Sequence, residues 1–177
     1  MSHLWFPLAD CPEQGRRLEI KDQAVWSQPL DEFELNAVIA QPMRAELFIQ
    51  AHKDGLLIQG RLQGSVTLPC DRCAEPMTCI LDSGFDIFES FEGGEDQEED
   101  TQRFRQGKQG LELDLGAVLW EQFVLALPVK PLCSENCLGI CPQCGANLNK
   151  DACGCDRSSL DPRLEVLRRL KVYAGYA

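Results

Sequence analysis

Histidine is nearly absent from this chain: there are two, His3 near the start and His52 beside a turn. Each reads as a surface residue, not a ligand. No Ser/His/Asp set, His-Glu-x-x-His helix or glycine-rich phosphate loop occurs, so the familiar hydrolytic and phosphoryl-transfer frameworks have no residues to stand on. Paired acids for hydrolysis cannot be singled out among so many carboxylates. Long apolar runs are missing too, and none approaches the ~20 residues that a membrane helix needs. The stretch Met1–Leu8 has no basic segment followed by an apolar one, so no signal peptide is expected. Positive charge is scarce: 17 Lys and Arg stand against 28 Asp and Glu, a formal net charge of −11. A general nucleic-acid binder needs cations to displace counterions from phosphates, and this balance argues against one. No internal repeat shows apart from paired cysteines.

The chain does have enough apolar material for a core, with 44% hydrophobic and 25% charged residues over 177 positions. That length fits one large domain or a domain with an appendage. The division expected is an α+β core over residues 1–132, including an acidic loop at 92–110, and a Cys-rich appendage with a short C-terminal helix over 133–177. Six acids fall between Glu92 and Asp100, and without them the formal charge is −5. That segment reads as a solvated, mobile spacer. Its functional alternative is an electrostatic lure for a basic partner.

Residues 44–69 alternate with period 2 and predict a long hairpin with one polar face. Leu47, Ile49 and Ala51 oppose Glu46, Phe48 and Gln50, and Lys53-Asp54-Gly55 is read as a turn in which Asp-Gly supplies positive φ. Met77–Glu89 alternates again and should pair back. Asp114 is a plausible N-cap for a helix over Leu115–Leu127. Leu115, Val118, Leu119, Phe123 and Ala126 form its stripe, and Trp120, Val124 and Leu125 extend the apolar surface, so the helix should be mostly buried against the sheet. Near the start, strands are expected around Leu4–Leu8 and Leu18–Val25, with helical possibilities over Asp31–Ala40. Asp161-Pro162 opens a last helix, with Leu164, Leu167 and Leu170 on its apolar side. Arg163, Arg168, Arg169 and Lys171 make it the one basic patch. A solvated helix face accounts for those four residues; contact with RNA or a partner is the functional alternative.

The informative feature is cysteine. Eight of the ten cysteines fall into pairs: Cys70/Cys73, Cys133/Cys137, Cys141/Cys144 and Cys153/Cys155. Without a secretory signal the protein is expected in the reducing cytoplasm, where clustered cysteines are metal-binding or catalytic more often than disulfide-bonded. Thiolates suit Zn²⁺, and a closed structural site takes four in a tetrahedron. In Cys141-Pro-Gln-Cys144-Gly145 the glycine can take a conformation that other residues resist, letting backbone N–H groups face the sulfurs. Cys153 and Cys155 lie close enough to complete that site. Cys70, Cys73, Cys133 and Cys137 can close a second one, stapling the hairpin tip to the exit of the buried helix. One mixed site with spare cysteines is the alternative, and iron in a rubredoxin-like site is possible in principle. Two such zinc sites, each carrying a net −2, bring the formal charge to about −15, which favours a basic protein partner over bare nucleic acid. Sites fully ligated by cysteine leave no open position for water, so structural metal is expected, not catalysis. Cys11 and Cys79 lack close partners and read as small buried hydrophobes.

Cys-Pro-x-Cys also resembles the dithiol of thioredoxin-like oxidoreductases, but that chemistry needs the motif at the head of an amphipathic helix. Gly145–Asp151 is too short and turn-rich to supply one. Together, Val66-Thr-Leu-Pro-Cys70-Asp-Arg-Cys73, the helix leading to Leu127-Pro128-Val129-Lys130-Pro131, Cys137-Leu-Gly-Ile-Cys141-Pro-Gln-Cys144-Gly-Ala-Asn-Leu-Asn149 and Asp161-Pro-Arg-Leu164 resemble the YceD family, the large ribosomal RNA subunit accumulation proteins. The resemblance spans about residues 44–170. It implies a cytoplasmic protein with no known catalytic activity, needed for large-subunit ribosomal RNA (23S in bacteria) to accumulate. Together with the acidity and the absence of an active site, it favours binding of a basic ribosomal protein or a large-subunit precursor particle. Some members keep the first Cys-x-x-Cys but lack the later cluster, so the second site is an elaboration. A thiol-disulfide oxidoreductase using Cys141 and Cys144, or a zinc-ribbon adaptor unrelated to the ribosome, are the alternatives.

Overall fold

The computed structural model describes residues 3–91 and 103–155. An antiparallel sheet carries the architecture, in the order β2-β3-β4-β5: β2 (Arg16–Ile20), β3 (Val38–His52), β4 (Gly55–Pro69) and β5 (Pro76–Ser90). A smaller sheet has the order β1-β7-β6, from β1 (Trp5–Pro7), β6 (Phe104–Gly107) and β7 (Gly110–Asp114). Two helices, α1 (Ala24–Glu32) and α2 (Leu115–Ala126), complete the described elements. The fold is α+β, as the alternating patterns imply.

Period-2 alternation accounts for the main sheet. Ala45, Leu47, Ile49, Leu56, Ile58, Leu62, Val66 and Leu81 are all buried on one face. They meet Val25, Trp26 and Leu30 of α1 and Leu115, Val118, Leu119 and Phe123 of α2 in a single core cluster. The opposite face is mostly polar, though Ile80 and Phe88 are exposed on it, and Arg61 makes a two-pronged contact with Asp82 across β4 and β5 at 2.6 and 2.7 Å. Asp114 caps α2 as its sequence position implies: Oδ1 accepts from the Ala117 N–H at 3.2 Å and also from the Leu4 N–H at 3.2 Å.

Several expectations needed correction. The strand around Leu18 stops at Ile20, and Val25 lies in α1. Asp22 turns the chain by accepting from the Ala24 N–H at 3.0 Å. Gln23 then holds the Met43 backbone through both its amide atoms at 2.8 Å, and Val25, Trp26 and Leu30 gain a helical apolar face. Helix over Asp31–Ala40 is confined to its first two residues; Glu34 takes a left-handed φ of 51° and β3 begins at Val38. The 92–110 segment is not loop throughout, because Phe104–Gly107 pairs with Gly110–Asp114 in a tight hairpin; the acidic run Glu92–Asp100 is outside the described residues.

The β3–β4 turn has no positive φ, at Gly55 or either residue before it. Glycine is needed there for space: a Cβ on Gly55 would lie 2.2 Å from the Glu89 carbonyl oxygen. Finally, Val124 and Leu125 are 42% and 69% exposed, so α2 buries one face only. The expected C-terminal helix, with Arg163, Arg168, Arg169 and Lys171, is outside the described residues.

Candidate metal centres

At the far end of the long hairpin, Pro69 pairs with Pro76 and the six residues between them form a knuckle. The Cys70 N–H donates to the Glu75 carbonyl at 2.9 Å and the Ala74 N–H to the Cys70 carbonyl at 2.8 Å. The second knuckle repeats this pattern: the Cys141 N–H donates to the Ala146 carbonyl at 2.8 Å and the Gly145 N–H to the Cys141 carbonyl at 2.9 Å. Gly145 has φ +74°, the conformation expected of the glycine after Cys144. Its counterpart Ala74 is held at φ +58° despite its Cβ. Sequence reading missed this equivalence because the first knuckle carries no glycine. Ala74→Gly relieves a left-handed alanine, a conformation that costs roughly 1–2 kcal/mol, against roughly 0.5–1 kcal/mol of added chain entropy in the unfolded state. A small net stabilisation, up to about 1 kcal/mol, is expected in chemical denaturation of the metal-loaded protein.

Eight sulfurs gather into two groups: Cys70, Cys73, Cys133 and Cys137, and Cys141, Cys144, Cys153 and Cys155. Within each group the sulfurs lie within 4.8 Å of one another. In the first, Cys70 and Cys137 are 3.8 Å apart and Cys73 and Cys133 3.6 Å. Tetrahedral zinc with bonds of about 2.3 Å places its sulfurs about 3.8 Å apart, so these spacings fit an ion. No cysteine among the described residues is in a disulfide, the half-buried Cys11 and Cys79 included. His3 meets the buried Asp114 carboxylate at 2.5 Å, and His52 packs edge-on against Phe88; neither is in a cysteine group.

The electrostatics of the two groups match. Cys70 is held down at about 6 by the backbone N–H of Cys133 first, then by those of Arg72 and Cys73. Cys141 is likewise held at about 6 by the N–H groups of Cys144 and Gln143. Cys133 is pushed up to about 12 by the neighbouring sulfurs, Cys137 foremost, and Cys155 to about 12 by Cys144 and then by burial. Four crowded sulfurs cannot all ionise beside one another, and a dication is what allows it.

Residues with no cysteine chemistry join the groups. The Arg72 guanidinium donates to the Cys137 carbonyl at 2.9 Å, and the Ile140 N–H donates to the Arg72 carbonyl at 3.0 Å. Glu75 receives Asn147 Nδ2 at 3.2 Å and Lys150 Nζ at 2.7 Å, and Asn149 Nδ2 points at Cys137 Sγ at 3.3 Å. Gly139, at φ +76°, lies where a Cβ would meet the Arg72 carbonyl oxygen at 2.9 Å. Arg72, Gly139, Ile140, Asn147 and Asn149 stand within the motifs quoted above, but nothing local in the sequence shows that they reach across, and Glu75 and Lys150 lie outside those motifs. No helix follows Cys144 among the described residues, so the Cys141/Cys144 pair lacks the helix head that thioredoxin-type chemistry uses.

A family model described as large ribosomal RNA subunit accumulation protein YceD matches residues 58–171, taking in all eight clustered cysteines. A chloroplastic protein of Arabidopsis thaliana, named large ribosomal RNA subunit accumulation protein YCED homolog 1, is 25% identical over 156 residues, covering 73% of this chain and 49% of that protein. Uncharacterized proteins of Mycobacterium bovis and Mycobacterium tuberculosis are each 28% identical over 120 residues, covering 67% of this chain and 56% of theirs. The chain thus spans about half the length of these curated relatives. No solved structure matches it. No described helix is long and apolar enough to cross a membrane.

Proposed function

Because the chain belongs to the YceD family of large ribosomal RNA subunit accumulation proteins, we propose that it is a non-catalytic, zinc-stapled assembly factor for the large ribosomal subunit. It works in the reducing cytoplasm by binding a basic ribosomal protein or a precursor particle, and so lets 23S ribosomal RNA accumulate. The observation that carries this reading, beside the family, is the pair of closed four-cysteine groups. Cys70, Cys73, Cys133 and Cys137 would hold one Zn²⁺, and Cys141, Cys144, Cys153 and Cys155 the other. Bound zinc supplies cross-linking: a fully thiolate-ligated ion offers no open position for substrate or water. The protein's part is to aim backbone N–H groups at the sulfurs and to fix the knuckles against the hairpin tip. The excess of 28 acids over 17 basic residues favours a basic partner. Arg163, Arg168, Arg169 and Lys171 are the residues through which any direct RNA contact would run.

Depletion of the protein in its own cells, followed by gradient sedimentation and ribosomal RNA quantification, tests this reading. The expected result is a deficit of large-subunit RNA relative to small-subunit RNA, with tagged protein migrating with large-subunit precursors. Balanced subunit RNAs, with the tag on RNA polymerase or another non-ribosomal partner, would overturn it in favour of a zinc-ribbon adaptor. Turnover of a disulfide substrate by Cys141 and Cys144 would support the oxidoreductase alternative.

A further inference from the structure

We propose that the two four-cysteine groups bind metal as a coupled pair, with Asn149 the residue that positions Cys137 from inside the loop closed by the other group. The inference rests on the reading that both groups hold metal. Asn149 lies between Cys144 and Cys153, so the loop that carries it is anchored at both ends by the Cys141 group. Yet its side chain serves the other group: Nδ2 donates to Cys137 Sγ at 3.3 Å, and Oδ1 accepts from the Leu138 N–H at 2.7 Å. Asn147 Oδ1 fixes it in place, accepting from Asn149 Nδ2 at 2.9 Å and from its backbone N–H at 3.0 Å.

The same loop grips the first knuckle elsewhere. Asn147 and Lys150 both reach Glu75, two residues past Cys73. The Leu148 N–H donates to the Gly139 carbonyl at 2.9 Å, and Gly139 sits between Cys137 of one group and Cys141 of the other. Ile140 and Asn147 form a β-bridge across this seam. Metal held by Cys141, Cys144, Cys153 and Cys155 would order the loop, and through it Asn149 would deliver the donor that stabilises a thiolate of the Cys70 group. Outer hydrogen bonds of this kind typically change metal affinity about 10–100-fold. The coupling is reciprocal by thermodynamic necessity, so metal in the Cys70 group should equally favour metal in the Cys141 group.

The test is a double-mutant cycle on the full-length chain loaded with Cd²⁺, read by ¹¹³Cd NMR and by competition with a chelator. Wild type should show two cadmium resonances. Asn149→Ala should move the resonance of the Cys70 group and raise its dissociation constant about tenfold while keeping two ions bound. Removing the Cys141 group with Cys153→Ser and Cys155→Ser should weaken the remaining site by about tenfold, and should add little further in the Asn149→Ala background. Glu75→Ala, which keeps every cysteine, should weaken the Cys70 group in the same direction. An unchanged dissociation constant in both Asn149→Ala and Glu75→Ala overturns the coupling, as does simple additivity in the cycle. A chain that takes up no cadmium overturns the metal assignment itself. Large-subunit RNA levels on depletion are a separate readout, so failure of the coupling and failure of the family role are distinguishable.

Discussion

Protein purified without chelator is expected to carry two zinc ions per chain, one for each four-cysteine group. A thiol reagent should then find about two open thiols, Cys11 and Cys79, and all ten only after chelation and denaturation. The cysteine unit holds little apolar core of its own: among the described residues, Leu132 is the one hydrophobic side chain packed beside the buried Cys70, Cys73 and Cys137. With so little core, bound metal is expected to order it together with the backbone and side-chain hydrogen bonds described above. Chelation should therefore raise amide exchange across residues 131–155 while β3 and β4, buried against both helices, stay protected. Protons compete with metal for thiolates, so lowering the pH should release the ions, and raising it again with zinc present should restore them. One ion with about six reactive thiols would mean that one group of four stands open, and no ion would end the staple. Iron held by four thiolates would colour the protein, whereas zinc leaves it colourless.

The second large effect lies in the hydrophobic core. Phe123 is fully buried and stacks on Trp120 with centroids 5.4 Å apart; Trp120 stacks in turn on Phe33 at 5.8 Å. Phe123→Ala removes an aromatic ring from a site enclosed by β-sheet and helix and should cost about 3–5 kcal/mol. For a chain of this size that corresponds to a fall in Tm on the order of 10 °C. Leu125, two residues on, is 69% exposed, and Leu125→Ala should change stability by no more than about 0.5 kcal/mol. Paired thermal and urea melts of the metal-loaded variants check both values. Equal losses would mean that α2 buries its Leu125 side, contrary to the packing described.

That contrast shows how far a local pattern reaches. Apolar residues on α2 read as a stripe widening around the cylinder, and the period is right for Leu115, Val118, Leu119 and Phe123. Periodicity cannot tell which neighbour covers the flank, and no described element covers Leu125. Val25 shows the same limit: it reads as the end of a strand, but it lies in α1, whose start is tied by the Gln23 side chain to Met43, 20 residues away. Gly55 carried a strong turn signal, yet its glycine answers to the Glu89 carbonyl across the sheet.

By itself the sequence determined the features whose physics is local. Side-chain alternation set the long hairpin and its returning strand, Asp114 capped α2, and Cys-x-x-Cys spacing prepared each knuckle to present two sulfurs. Tertiary structure decided the features that need a partner from elsewhere in the chain. It brought Cys70 to Cys137 across 67 residues and placed Lys150 on Glu75 across 75. It also turned Asn149, by sequence an ordinary turn residue, toward a sulfur of the other group. The reason is physical: a short-range pattern fixes which way a side chain faces, whereas the donor that satisfies a thiolate depends on how separate loops pack together.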